Sequence, residues 1–161
     1  MSDKVDFNVR KGRLKDAEIV TELWKDLHAQ HVEYFPDDFS INKNAHKLHL
    51  NWWKTCTRSR TKCTYVAEAD GEIIGYLMGA IQKRPPVLTI DTEAVVWDIY
   101  VHDDFRGIGV GAELMEEFFQ WAREKKVGMV TLQVSPPNRK GVDFYKRLGF
   151  ETVLQVERKM I

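Results

Sequence analysis

Residues 106–111 read Arg-Gly-Ile-Gly-Val-Gly and follow four residues after the apolar stretch Thr92–Val101. A chain that turns from a strand into a helix aims free backbone N–H groups outward, because the first helical turn has no internal acceptors for them. Together with the helix dipole, those groups make an anion site. Gly107, Gly109 and Gly111 carry no side chains to keep a pyrophosphate from the backbone amides of Ile108 and Val110. Arg106 adds a fixed cation at the loop mouth. The plainer alternative is a tight turn that uses glycine only for its backbone freedom. Three alternating glycines behind an arginine favour the anion cradle.

A second chemical candidate lies in the preceding strand. Asp98 is the single charge among Ala94, Val95, Val96, Trp97, Ile99 and Val101. Burial there would raise its pKa toward that of a useful general base. Alternatively, backbone N–H groups would hold it as an ordinary carboxylate. Glu93 is the next candidate base, five residues earlier and on the opposite strand face unless a bulge intervenes. Glu68 and a water chain are the remaining ones.

Two nucleotide patterns can be tested on the loop. A P-loop requires Gly-x4-Gly-Lys-Ser/Thr, and no such Lys follows here. The dinucleotide pattern GxGxxG/A is met literally by Gly107, Gly109 and Ala112, but that fold needs an acid at the end of the next strand. Here the next strand ends at Val134-Ser135, and residues 136–161 are too few for a second nucleotide-binding half.

Elements that must position these groups follow from hydrophobic period. Residues 7–10 alternate as a short strand. Ile19, Val20, Leu23, Trp24 and Leu27 recur at helical spacing, for a helix from near Leu14 that stops before Pro36. Residues 36–41 read as a loop, and 42–58 as a second helix with Leu48, Trp52 and Cys56 on its apolar face. Strands are expected over 63–69 and 72–81, joined by the Asp70-Gly71 turn, and over 92–101. A long amphipathic helix runs to about Lys126, with Leu114, Met115, Phe118 and Ala122 as its stripe. A strand over 129–134, a short helix over 139–148 and a closing strand over 150–160 complete the order β-α-α-β-β-β-α-β-α-β. This predicts an α/β (α+β) fold with a mixed central sheet and one domain over residues 1–161.

Composition bounds the function. The chain has 161 residues, 43% hydrophobic and 30% charged, with 24 basic against 24 acidic side chains. A net charge of zero provides no broad positive field, so neither nucleic acid nor a membrane surface is an expected partner. The first residues lack the apolar stretch of a signal peptide, and no run suits a membrane span, so a soluble cytoplasmic protein is expected. Cys56 and Cys63 offer no zinc spacing, and no metal is expected.

The loop behind Asp98-Ile-Tyr-Val resembles the Gln/Arg-x-x-Gly-x-Gly/Ala acetyl-CoA loop of the GCN5-related N-acetyltransferases. Downstream, Leu132-Gln133-Val134, then Asn138, then Phe144-Tyr145-Lys146-Arg147-Leu148-Gly149-Phe150 is similar to that family's strand, Asn and Phe-Tyr-x-x-x-Gly-Phe ending. The likeness spans nearly the whole chain. Two departures are Gly141, where the family more often has Ala, and Pro136-Pro137 ahead of Asn138.

The resemblance implies direct acetyl transfer from acetyl-CoA to a primary amine of a small molecule or peptide. It implies that the backbone of Ile99, Tyr100 and Val101 pairs with the pantetheine arm. The amides of Arg106, Gly107, Ile108, Gly109, Val110 and Gly111 would hold the pyrophosphate, and Asn138 would contact the arm. Tyr145 would be the acid that protonates the leaving thiolate, since a phenol stays protonated at neutral pH. Asp98 or Glu93 would be the base. Strand edges of this fold imply a homodimer. Glu33, Asp37 and Asp38 would draw a cationic amine if they are not simply a solvated loop, and His28 and His31 are read as surface residues. A non-catalytic acyl-CoA-sensing domain is the alternative class.

Overall fold

A computed structural model describes residues 5–161. The first four residues, part of the stretch read above for a signal segment, lie outside the described residues. Five strands form one sheet in the order β1-β2-β3-β4-β5: Asn8–Lys11, Lys62–Ala69, Glu72–Lys83, Thr92–Val101 and Val130–Leu132. The first three neighbour pairs are antiparallel, and β4 pairs with β5 in parallel. A parallel pair needs a crossover, and helix α4, Val110–Glu124, supplies it.

Both sheet faces are covered. Helices α1, Ala17–Tyr34, and α3, Ala45–Cys56, lie on one face, where Val20, Trp53, Tyr76 and Met78 are buried. Helix α4 covers the other with Leu114, Met115 and Phe118 over Leu77 and Val96. A one-turn helix, α2, Pro36–Phe39, stands in the stretch read as loop; proline at its first position has a φ suited to a helix start and lacks one of the N–H groups that such a start leaves unpaired. Helix α5, Arg139–Arg147, follows β5.

Two expectations are corrected. The buried face of α3 carries His49, Trp53 and Cys56, whereas Leu48 and Trp52 are exposed. Both sets recur at helical spacing, and the indole of Trp53, donating to the Arg13 carbonyl at 2.9 Å, sits on the inward one. The closing strand is absent: residues 151–161 are exposed and form no ladder. A strand needs a partner edge, and this tail meets the body through Arg158, which pairs with Asp38 at 3.1 Å.

Candidate active site

The central strand β4 opens the site. Its register against β3 slips between Met78–Asp98 and Gly79–Val96, leaving Trp97 as a bulge. A bulge bends its strand and re-aims the side chains beyond it. Pairing with β5 therefore covers only Ala94–Val96 against Val130–Leu132. Past Leu132 the chain runs into Ser135-Pro136-Pro137, and prolines cannot donate to a ladder. The two strands part, and a cleft of about 60 Å³ lies between them, lined among others by Asp98, Ile99, Asn138 and Tyr145.

Backbone alternation decides which groups face that opening. Ala94 N–H donates to Met129 on the β5 side, His102 N–H donates to Ile74 on the β3 side, and the Val101 carbonyl accepts from Arg106. By the two-residue period, Ile99 and Val101 turn their backbone groups to the cleft and Tyr100 turns its own to β3. Of the three residues expected to pair with a pantetheine arm, Tyr100 is thus spent on the sheet. The Val101 carbonyl is also taken, which leaves its N–H and both groups of Ile99.

Beyond β4 the glycine loop reaches α4. Gly107 and Gly109 have φ of +79° and +100°, a region that L side chains rarely adopt, and a Cβ on either would point into open space. Gly109 is the N-cap of α4 and has no side-chain cap. Among the described residues, no group accepts from the amides of residues 107–112. Bare backbone around unpaired donors at a 15-residue helix is the form a pyrophosphate fits. Arg106 does not stand free at the loop mouth. Its Nε donates to Val101 at 2.8 Å, its guanidinium pairs with Asp103 at 2.7 Å, and it lies 5.4 Å over the Tyr100 ring. Arg106 therefore clasps the loop to β4, and the free amides are the groups left to meet an anion.

The bulge also carries the charge. Asp98 points to the α1/α3 face, its side chain 24% exposed into the cleft. No described group donates to its carboxylate, and burial pushes its pKa up to about 6. His49 of α3 places Nε2 4.0 Å from Asp98 Oδ2. Its Nδ1 lies 3.0 Å from Thr21 Oγ1, and its ring stacks on Trp24 at 4.5 Å. Burial, then the neighbouring His46, lower the His49 pKa to about 4, so it is neutral at neutral pH. Across the cleft, α5 presents Tyr145, its ring packed between Phe144 and Phe150. Burial raises the phenol to about 12, which keeps it protonated. Asn138 caps α5 by accepting from Gly141 N–H at 3.0 Å. A Cβ on Gly141 would meet the Asn138 amide at 2.6 Å, so alanine there would require the Asn138 side chain to shift.

Asp98, Tyr145, Asn138 and Ile99 are thus brought together, on the strand end that leads into the glycine loop. Glu93 is not. The bulge puts it on the same face as Asp98, but about 15 Å along the strand by the usual rise per residue. There it accepts from Gln82 and Thr131 and faces Arg84. Glu68 is held by Arg10, which also binds Asp16. Asp37 and Asp38 face Arg158. His28 and His31 are half-buried against Trp24 and Phe39 rather than on the surface. Residue spacing does not single out His49 for the site, because its burial beside Asp98 depends on which face of α3 turns inward. Cys56 and Cys63 are both buried and free. A wider depression of about 710 Å³ at the other end of β3 and β4 is lined by Lys83, Asp91, Lys125 and Lys126. It lies at the C-terminal end of α4, with neither a strand opening nor free helix amides, so the smaller cleft is the candidate site.

Known proteins share this fold. The family model for the acetyltransferase (GNAT) family matches residues 21–150. The chain belongs to the GNAT family. It is 32% identical over 155 residues to an N-alpha-acetyltransferase of Sulfurisphaera tokodaii, covering 92% of this chain and 82% of that one. Its fold matches a mutant of the BH1408 protein from Bacillus halodurans with a TM-score of 0.86 at 21% identity, over 96% of this chain and 99% of that one. It also matches the aminoglycoside N-acetyltransferase AAC(6')-Iy in complex with CoA, at a TM-score of 0.77 and 18% identity, over 100% and 98%. Other curated relatives are longer. The chain spans 38% of an uncharacterised N-acetyltransferase of Methanocaldococcus jannaschii and 44% of the spore coat polysaccharide biosynthesis protein SpsD of Bacillus subtilis. Among the described residues, no helix is long and apolar enough to cross a membrane, and no three His, Cys, Asp or Glu side chains converge as a metal cage.

Proposed function

We propose that this GNAT-family chain is an acetyl-CoA-dependent N-acetyltransferase that acts as one domain on a primary amine of a small molecule or peptide. The observation that carries the reading is the opposition of Asp98 and Tyr145 across the β4–β5 opening, on the strand that leads into six unpaired amides at residues 107–112. Acetyl-CoA, when bound, supplies an activated thioester. The amides of 107–112 hold its pyrophosphate, and Ile99 and the Val101 N–H pair with its arm. Asn138, whose side-chain oxygen is spent on Gly141, has its amide N–H groups left to donate to that arm.

Asp98 takes a proton from the incoming ammonium, which frees the nitrogen lone pair. A carboxylate with pKa near 6 is suited to that task at neutral pH. The amine nitrogen bonds to the carbonyl carbon, the C–S bond breaks, and the Tyr145 hydroxyl donates a proton to the leaving sulfur. The second nitrogen proton restores the phenol. Net products are the N-acetyl amine, free CoA thiol and one proton.

The acceptor side is apolar and aromatic, with Leu27, His31 and Trp97 around the single carboxylate Asp98. Resemblance of the Phe-Tyr-Lys-Arg run to diamine acetyltransferases leaves the amine open, and the AAC(6')-Iy and N-alpha-acetyltransferase likenesses widen the panel to aminoglycosides and peptide N-termini. The exposed apolar tail, with Val153, Leu154 and Val156, supports pairing of two copies as a homodimer. The test is amine-dependent release of CoA thiol from acetyl-CoA over polyamines, amino acids, aminoglycosides and peptides. Tight acetyl-CoA binding with no thiol release over the whole panel would replace this reading with an acyl-CoA sensor.

A further inference from the structure

Three buried side-chain polar atoms among the described residues have no hydrogen-bond partner: His46 Nδ1, His49 Nε2 and Tyr76 Oη. Buried polar atoms are nearly always satisfied, so each orphan calls for a cause. Two of the three surround one group. His49 Nε2 is 4.0 Å from Asp98 Oδ2. Tyr76 sits on the same sheet face, two residues from Met78, the cross-strand partner of Asp98, and the charge on Asp98 is felt at its phenol. A carboxylate without donors thus stands beside donors without acceptors.

The imidazole is fixed from behind. Thr21 is fully buried, with Oγ1 3.0 Å from Nδ1, and Trp24 stacks on the ring at an interplanar angle of 14°. When the Thr21 hydroxyl donates to Nδ1, the ring proton resides on Nε2 and points at Asp98. The separation of 4.0 Å is longer than a hydrogen bond and short enough for one water or a small approach to bridge. We propose that His49, oriented by Thr21, is a positioning residue that holds the Asp98 carboxylate ionised and aimed into the cleft. It acts as a neutral donor, not as a base, and it rests on the reading of Asp98 as the base for acetyl transfer. Other titratable groups that face this pair are His31 from α1, His46 and Cys56 from α3, Tyr76 from β3, Tyr100 from β4 and Tyr145 from α5. None of them is a lysine or arginine, so the donor geometry at Nε2 is what favours the ionised carboxylate.

The test compares the parent with His49→Leu, His49→Gln and Thr21→Val. In kcat/KM against pH, His49→Leu is expected to move the acid limb upward by about one pH unit, roughly a tenfold loss on the acidic side that shrinks as pH rises. Glutamine places an amide N–H where Nε2–H stood, so His49→Gln returns the limb to within about 0.3 unit of the parent. Thr21→Val frees the tautomer at nearly constant volume and shifts the limb part of the way. KM for acetyl-CoA stays put in all three. A loss in His49→Leu that is equal at every pH, or identical limbs in His49→Leu and His49→Gln, would overturn the proposal. A carboxyl-carbon NMR titration of Asp98 in the parent and in His49→Leu needs no substrate. An unmoved Asp98 pKa there also overturns it. An absence of turnover with every amine counts against the acetyltransferase reading and leaves this titration to decide the role of His49.

Discussion

Replacing Asp98 with asparagine should make the protein more stable and less active at once. The carboxyl has a pKa of about 6 in the folded chain against an ordinary value of 3.8. Because the folded state holds its proton more tightly, the folded chain binds more protons than the unfolded one between these values. Stability therefore falls as pH rises through this window, and the full penalty is present above about pH 6. The gap corresponds to roughly 3 kcal/mol. The carboxylate is partly open to the cleft, so about 1–3 kcal/mol is the expected range, or a rise of about 2–10 °C in Tm for a chain of this length. The asparagine side chain carries no charge and escapes the penalty. His49 has the opposite sense, since its lowered pKa destabilises the fold only as pH falls below about 6.5 toward 4. It is present in both proteins and largely cancels in their difference. The assay is thermal unfolding by circular dichroism at about pH 7.5 and about pH 4, with thiol release measured on the same samples. Asp98→Asn should gain stability only at the higher pH and lose about 10²–10⁴-fold in turnover. A variant that is less stable than the parent at the higher pH, or one shifted equally at both, would refute the reasoning. Either result would mean that hydrogen bonding to the carboxylate outweighs the cost of its burial.

Three further outcomes follow from the same geometry. Tyr145→Phe should lose about 10²-fold in kcat while its acetyl-CoA affinity, by calorimetry, stays within about twofold; unchanged turnover removes the phenol from the reaction. Gly109→Val should weaken CoA binding at least tenfold and cost about 1–3 kcal/mol in denaturant unfolding, because a β-branched residue is strained at φ +100°. Arg106→Met should raise KM for acetyl-CoA several-fold with little salt dependence, since Arg106 is already paired with Asp103. A steep salt dependence would instead mark Arg106 as a phosphate contact.

Most of the frame could be read from residue order alone. The hairpin at Asp70-Gly71, the strand over 92–101 and the helix behind the glycine loop all stand as the hydrophobic period places them. These elements have one strong stripe each and a clear punctuation residue. What escaped the sequence depends on contacts across elements. The bulge at Trp97 is a matter of register against β3, and it decides that Asp98 points to His49 and that Glu93 shares its face. The inward stripe of α3 is one of two that helical spacing allows, and Trp53 selects it by reaching the Arg13 carbonyl. Arg106 looked like a phosphate ligand because its charge is visible in sequence, whereas the Asp103 and Val101 oxygens that occupy it are brought close only by the fold. The tail over 151–161 has strand-like residues but pairs with neither β5 nor β1, the end strands of the sheet, and meets the body at Asp37 and Asp38 instead.

The central claim is that the cleft between β4 and β5 moves an acetyl group onto an amine with Asp98 as base. It is tested most directly by incubating the purified chain with acetyl-CoA and the amine panel, then counting free thiol and N-acetyl amine by mass spectrometry in parent and Asp98→Asn. Both products are expected to form one for one with at least one amine and nearly to vanish in Asp98→Asn. Thiol release that needs no amine, or that survives in Asp98→Asn at every pH, would contradict it.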